Sequence, residues 1–430
     1  MIFFKVSQNI NIKIADNSLV VLNKEIRGND ENEYIYITTF HDFEAVKKIF
    51  EKVGTTYKTY IVDEKKVFSQ KDFPIEVGVS NKNEFLLQKQ KLRFTTFLDE
   101  IPELSTKELF RNEEFQDIND IVKSHKKDIS IAIIGGVGRG IGEILCGLTA
   151  IRVLIKTLQK RYKNIKIDLL LESADNQYYK RDKELLEKEP LINKVLPLCI
   201  NVRKMSEYDY YIDTSTINES TFYRELNFID AYLYKFGIDY KNIQLHTKFN
   251  QFDLSFYKPS SELQDDIVKL KSKSELILFH PYSPDIQRSL PKDVTATLLK
   301  ELLTYSDETI VSTLKIEKVE NDKYVDLSKH SKTLFDFMYI VSQCDYIITV
   351  DTSTYHISDL FLIPTVVIFP DNDLVEKRVK YYKMTKPYVL KERKKNLSLL
   401  KFENDTLTVS KYTKYKDIKA KKILKLLSLK

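Results

Sequence analysis

Glu143 is the one carboxylate carried by a run of glycines that reads as a turn from a strand into a helix. Six of the ten glycines lie between residues 135 and 147, at Gly135, Gly136, Gly138, Gly140, Gly142 and Gly147, with Arg139 among them. Glycine concentrates where backbone takes φ > 0 or approaches another group closely. A helix start behind such a turn points free N–H groups at an anion. A carboxylate there can take a proton from a hydroxyl, or merely complement the helix dipole. A second group is Asp351-Thr352-Ser353-Thr354-Tyr355-His356, directly after an apolar run. Hydroxyls and N–H groups at a helix start cradle a phosphate, and His356 falls in the first turn. Its plain alternative is an ordinary Ser/Thr cap. A third group runs from His280 and Ser283 to Arg288 and Pro291. The Arg288 guanidinium is a forked donor suited to a diphosphate, though a lone arginine also reads as surface charge.

Positioning such groups takes strands that end together. From residue 129 onward the pattern alternates. Strands are predicted at 129–134, 165–171, 194–197, 209–212, 276–279, 309–312, 346–349 and 365–369. Helices are predicted at 143–161, 179–188, 222–236, 292–305, 333–343 and 354–361, with a linker around 247–262. Alternation of this kind implies parallel α/β layers with ligands at the carboxyl ends of the strands. Before it, short alternating strands (11–14, 19–22, 34–38, 59–62) and a helix over 43–53 read as a small α+β module. A charged helix is expected over 107–127, and a basic amphipathic helix over 415–429. Packing on a Rossmann-like domain is the first use for that tail, and attachment to an anionic membrane the second.

The chain has 430 residues, 43% hydrophobic and 30% charged, a globular balance sufficient for two or three domains. A net charge of +6 permits an anionic partner without demanding one. Cys146, Cys199 and Cys344 are too far apart for metal-ligand spacing and sit among apolar neighbours. They read as buried reduced thiols, and the expected location is cytoplasmic. No signal peptide or membrane-spanning run is evident. The glycine run is not a G-x-G-x-x-G, although Glu172 ends the second predicted strand, where a dinucleotide site would place its ribose-binding acid.

Together the three groups resemble glycosyltransferase family 9, the heptosyltransferase-like enzymes of GT-B fold. Gly142-Glu143-Ile144-Leu145-Cys146-Gly147-Leu148-Thr149-Ala150-Ile151-Arg152 matches in spacing the family's G-D-x-[hydrophobic]-x-x-x-P-A-[hydrophobic]-R. Asp351–His356 stands at the family's D-T-G-x-x-H, and Pro364–Phe369 at its closing strand. Arg288-Ser289-Leu290-Pro291 occupies the slot of its K-x-x-P. Glu143 replaces the family aspartate, Thr149 its proline and Ser353 its glycine. The resemblance covers about 129–395.

The resemblance implies an α/β fold with two Rossmann-like domains facing across a cleft. The domains would be an accessory α+β domain (1–127), an acceptor domain (128–255), a nucleotide-sugar domain (256–395) and a tail (396–430). It implies an inverting, metal-independent glycosyltransferase without a cofactor, the donor being a nucleotide-diphosphate sugar. The acceptor would be a glycan or lipid-linked saccharide, with contact at the inner face of a membrane. Asp351, Thr352, Ser353, Thr354, His356, His280 and Ser283 would bind the donor. Arg288 would stabilise the leaving group and Glu143 would be the base. Gly136, Gly138, Arg139, Gly140 and Gly142 would form the acceptor-side turn. No metal site and no nucleic-acid partner are expected, and oligomeric state is open. Other readings are a non-catalytic sugar-nucleotide binder, a transferase acting on protein or nucleic acid, and a nicotinamide-dependent dehydrogenase.

Overall fold

The computed structural model describes residues 2–62 (except 24, 27–28 and 34), 67–69, 94–98 and 115–370 (except 175, 206, 286–287 and 318). It also describes 375–390, 400–403, 406–409, 415 and 417–429. The chain forms two compact units, Met1–Arg139 with Cys146–Gln244, and Gly140–Leu145 with Leu245–Lys430.

The first unit holds a mixed sheet ordered Lys194–Pro197, Asn164–Leu171, Asp128–Ile134, Tyr210–Asp213, Val67–Ser69. Its first four strands are parallel, and Val67–Ser69 is antiparallel at the edge. Asp128–Ile134 is buried over its last four residues, as an apolar run between layers requires. A second, antiparallel sheet is centred on Ile2–Val6, which pairs with Ile35–Thr38 and Tyr57–Val62. The helix Phe40–Val53 starts on the Thr39 cap and stops at Gly54, whose φ of 69° is the left-handed turn that glycine allows. It presents Phe43 and Phe50 to Phe4 and Tyr57. Ile200–Asn201 also joins this sheet, so residues 1–62 and the chain beyond residue 199 share it.

The second unit has a six-stranded parallel sheet ordered Tyr324–Asp326, Thr309–Ser312, Leu276–His280, Tyr346–Val350, Thr365–Phe369, Thr385–Val389. In sequence order this is 3-2-1-4-5-6, the doubly wound Rossmann arrangement, with its switch point between Leu276–His280 and Tyr346–Val350. The α/β expectation thus holds for both parallel sheets.

Several expected elements differ. Of the charged helix over 107–127, residues 107–114 lie outside the described residues, and only Ile118–Ile121 of the rest is helical. The helix expected over 222–236 breaks in two, because Asn227 leaves the ladder to cap Phe228–Lys235, its Oδ1 accepting from the Ile229 N–H at 2.9 Å. The expected linker ends in a helix, Ser261–Lys271, capped by Ser260. Thr385–Val389 is a strand despite Pro387, which an edge position tolerates. In the tail, helix spans only Ala420–Leu426. Tyr415, Ile418, Ala420, Ile423, Leu424 and Leu427 are buried in one core with Leu298, Leu299, Leu302 and Leu303 of helix Lys292–Tyr305. The apolar face of the tail is therefore used by the fold, the first of the two uses expected for it.

Candidate functional site

The strands Leu276–His280 and Tyr346–Val350 are neighbours, and their carboxyl ends carry two of the three groups singled out above. Thr349 donates to the His280 carbonyl at 3.0 Å and so ties the two ends together. Asp351 follows at once, 4% exposed. Its carboxylate meets two guanidiniums. Arg378 Nη1 donates to Oδ1 at 2.9 Å, and Arg288 Nη1 stands 3.6 Å from Oδ2. The Tyr355 hydroxyl also donates to Oδ1, at 3.3 Å. Burial works most strongly against charge on Arg378, but Asp351, Tyr355 and Glu143 together outweigh it and hold the guanidinium firmly protonated.

The helix Ser353–Leu360 starts here with Thr352 at its cap, yet the Thr352 side chain makes no capping bond. Ser353 is half-buried, and Thr354 is fully buried with no hydrogen-bond partner at Oγ1. Ser353 is not among the non-glycine residues with positive φ (Asn17, Leu362 and Ser428), so this turn does not need the family glycine's backbone freedom.

His356 is buried. The Tyr382 hydroxyl accepts from Asn250 Nδ2 at 2.9 Å and is hydrogen-bonded to His356 Nδ1. Burial, and then the Arg378 charge, push the imidazole down to about 3, so it stays neutral at physiological pH. The ring covers Gly142. A Cβ on Gly142 would overlap Cδ2 and lie 2.6 Å from Nε2. Only glycine fits there.

Glu143 is half-buried in the first turn of helix Ile141–Leu158. The Gly140 N–H reaches its Oε2 at 3.4 Å, a loose capping contact. Its charge also acts on Arg378. Glu143, Arg288, Asp351, His356 and Arg378 all belong to the second unit.

The loop after His280 is bonded to itself. Ser289 Oγ accepts from the Ser283 N–H at 2.8 Å, Ser283 Oγ accepts from the Asp285 N–H at 3.3 Å, and Arg288 Nε donates to Asp285 at 3.0 Å. Ser283 thus shapes the loop that delivers Arg288. Desolvation pushes His280 down to about 4, and its Nδ1 lies 3.3 Å from Thr313 Oγ1.

Gly135, Gly136 and Gly138 belong to the first unit. They take φ of 92°, 77° and 110°. A Cβ on Gly135 would lie 2.7 Å from Ser215 Cα, and one on Gly136 would lie 2.7 Å from Leu171 Cδ2. Arg139 is exposed and donates to Glu172 at 2.5 Å, while Thr39 donates to the other Glu172 oxygen at 2.6 Å. Both oxygens of Glu172 are engaged, so it is not an open ribose acceptor of the dehydrogenase kind. Arg152, the last residue of the matching motif, pairs with Glu189 at 3.6 Å.

Arg378 was not singled out in the sequence. It sits among Lys377 and Lys380, where a charged run reads as solvated surface. The described residues also bring together Glu262, Asp266 and His330, whose ligand atoms lie within 4.8 Å of one another. Lys329 Nζ already stands on those carboxylates at 3.0 and 3.5 Å. No helix among the described residues is long and apolar enough to cross a membrane.

Fold and site define a doubly wound α/β protein with two guanidiniums sharing one carboxylate at the switch point of its second sheet. No protein-family model matches the chain, and no curated protein matches its sequence. Among solved structures it is similar to the ADP-heptose LPS heptosyltransferase II of E. coli, at 13% identity over 70% of this chain and 98% of that one, with a TM-score of 0.47. It is also similar to a family 9 glycosyl transferase of Veillonella parvula, at 13% identity over 62% and 87%, TM-score 0.41. A third is the E. coli heptosyltransferase WaaC with ADP, at 12% identity over 61% and 94%, TM-score 0.40.

Proposed function

We propose that the chain is an inverting, metal-independent glycosyltransferase that moves a sugar from a nucleotide-diphosphate sugar to a hydroxyl on a glycan or lipid-linked acceptor. The observation that carries this reading is the pair Arg288 and Arg378 on Asp351, beside a helix start whose cap residue leaves the N–H groups unbonded by its side chain. Guanidinium forks and helix N-termini are the two protein devices best suited to phosphate oxygens. The residue spacing shared with glycosyltransferase family 9 supports the same reading.

In the reaction the acceptor oxygen bonds to the anomeric carbon as the bond from that carbon to the diphosphate breaks. Glu143 takes the hydroxyl proton, and the electron pair leaves with the diphosphate. Charge grows on the diphosphate oxygens, where Arg288, Arg378 and the N–H groups at Ser353 and Thr354 stabilise it. Two guanidinium cations do what a divalent ion would otherwise do. His356 is neutral there and adds no charge. The sugar, the base and the acceptor are chosen by contacts beyond this core.

The test is a melting-temperature panel of nucleoside mono- and diphosphates and nucleotide sugars in EDTA. A ligand at a hundred times its Kd raises apparent stability by about 2.7 kcal/mol. One base should stand out, with its diphosphate well above its monophosphate. A flat panel overturns the reading.

A further inference from the structure

Family resemblance places Asp351 among the groups that touch the donor. The geometry points elsewhere. The side chain is almost fully buried, and each of its oxygens already faces a guanidinium, Arg378 at 2.9 Å and Arg288 at 3.6 Å. A bare carboxylate at this strand end would repel a diphosphate. We propose that Asp351 is a positioning residue that holds Arg378 and Arg288 side by side as a paired-guanidinium site for a diphosphate. This rests on the reading of the chain as a nucleotide-sugar enzyme and specifies how its anion subsite is built.

The three side chains come from separate parts of the second unit. Asp351 follows the strand Tyr346–Val350, Arg288 closes the loop after His280, and Arg378 lies on Val375–Val379. Without a shared counter-charge, two guanidiniums this close repel each other. Asp351 offsets that repulsion, accepting a hydrogen bond from Arg378 at Oδ1 and drawing Arg288 towards Oδ2 by charge. The two arginines are not equivalent. The Arg378 side chain is 18% exposed and held at hydrogen-bond distance. That of Arg288 is 33% exposed, and Nη1 is beyond hydrogen-bond reach of Asp351. Arg378 is therefore the anchored member. Arg288 is the member free to turn towards an incoming phosphate, leaving the more exposed Asp285.

The proposal makes a prediction of opposite sign to simple charge counting. Removing a negative charge beside an anion site should tighten anion binding. If Asp351 instead aligns the arginines, Asp351→Asn weakens it. The probe is inorganic pyrophosphate, measured by calorimetry at fixed ionic strength, with melting temperature as a folding check. Asp351→Asn is expected to weaken pyrophosphate about tenfold, and Arg288→Ala by a similar factor. In the Arg288→Ala background, Asp351→Asn should cost much less, because one of the two forks it aligns is already gone. Arg378→Lys keeps the charge and loses the fork, so it should also weaken binding. It serves as the second variant if Asp351→Asn does not fold. Unchanged or tighter binding in Asp351→Asn, or independent effects in the double variant, overturns the proposal and leaves the enzyme reading standing. If the unaltered protein binds neither pyrophosphate nor any nucleoside diphosphate, both fall together.

Discussion

Gly142 and His356 lie 214 positions apart, yet the ring of one occupies the space that a side chain on the other would need. The ring is also held from behind by Tyr382, so it cannot yield cheaply. Gly142→Ala should therefore cost about 1–3 kcal/mol, the usual range for overpacking a filled site. Part of that cost should disappear in a His356→Ala background, where the methyl has room. Denaturant titration of the four proteins measures this, and equal costs in both backgrounds would deny the contact. The sequence made Gly142 conspicuous through its clustering and His356 through its distance from Asp351. It gave no sign that they touch. Arg378 was hidden for a different reason. In a chain with 68 lysines and arginines, a basic residue between Lys377 and Lys380 looks like solvent-facing charge. Only its partner, a buried carboxylate 27 positions earlier, reveals it.

The helix Phe40–Val53 is tied to the chain after strand Asn164–Leu171 by a buried acid. Asp42 accepts from the Ser173 and Ala174 N–H groups at 2.9 and 2.7 Å and from the Thr38 hydroxyl at 2.9 Å. Burial, with the Glu172 charge adding to it, pushes this carboxyl up to about 6 from 3.8. The folded state then holds the proton more tightly than the unfolded chain. Between about pH 4 and 6 the contribution of Asp42 to stability falls as pH rises. Asp42→Asn removes that dependence. The melting temperature of Asp42→Asn relative to the unaltered protein should rise between pH 4.5 and 7, and a difference constant across that range would contradict the account. Such a tie is not legible in sequence, since Asp42 reads as an ordinary first-turn acid. Elements with strong periodicity were legible. The strands Lys194–Pro197, Thr309–Ser312 and Thr365–Phe369 and the helix Lys292–Tyr305 fall where their patterns place them. The strand Ile2–Val6 was not, because five apolar-rich residues at a chain start carry no turn signal on both sides. Thr385–Val389 was obscured by Pro387, whose meaning depends on being at a sheet edge.

Across the molecule, alternation of strand and helix was sufficient for the parallel sheets, but not for what else joins them. Val67–Ser69 adds an antiparallel edge to the first parallel sheet, and Ile200–Asn201 crosses to the antiparallel one. Pairings between segments far apart leave no local pattern. The same limit applied to the site. Three groups were visible at strand ends, and the fold places two of them at the switch point of the second sheet, where ligands of doubly wound proteins bind. The amphipathic tail illustrates the converse: its apolar positions were legible, while its shorter helix and its partner, the helix Lys292–Tyr305, had to come from the structure. The central claim is sugar transfer without a metal, with Glu143 as base. The decisive experiment follows nucleoside diphosphate release by phosphorus NMR, in EDTA, from the nucleotide sugar that binds best, with water taking the place of the acceptor hydroxyl. The account predicts release by the unaltered protein and a loss of about 10²–10⁴-fold in Glu143→Gln with donor affinity unchanged. Release abolished by EDTA and restored by Mg²⁺, or Glu143→Gln working at the unaltered rate, would contradict it.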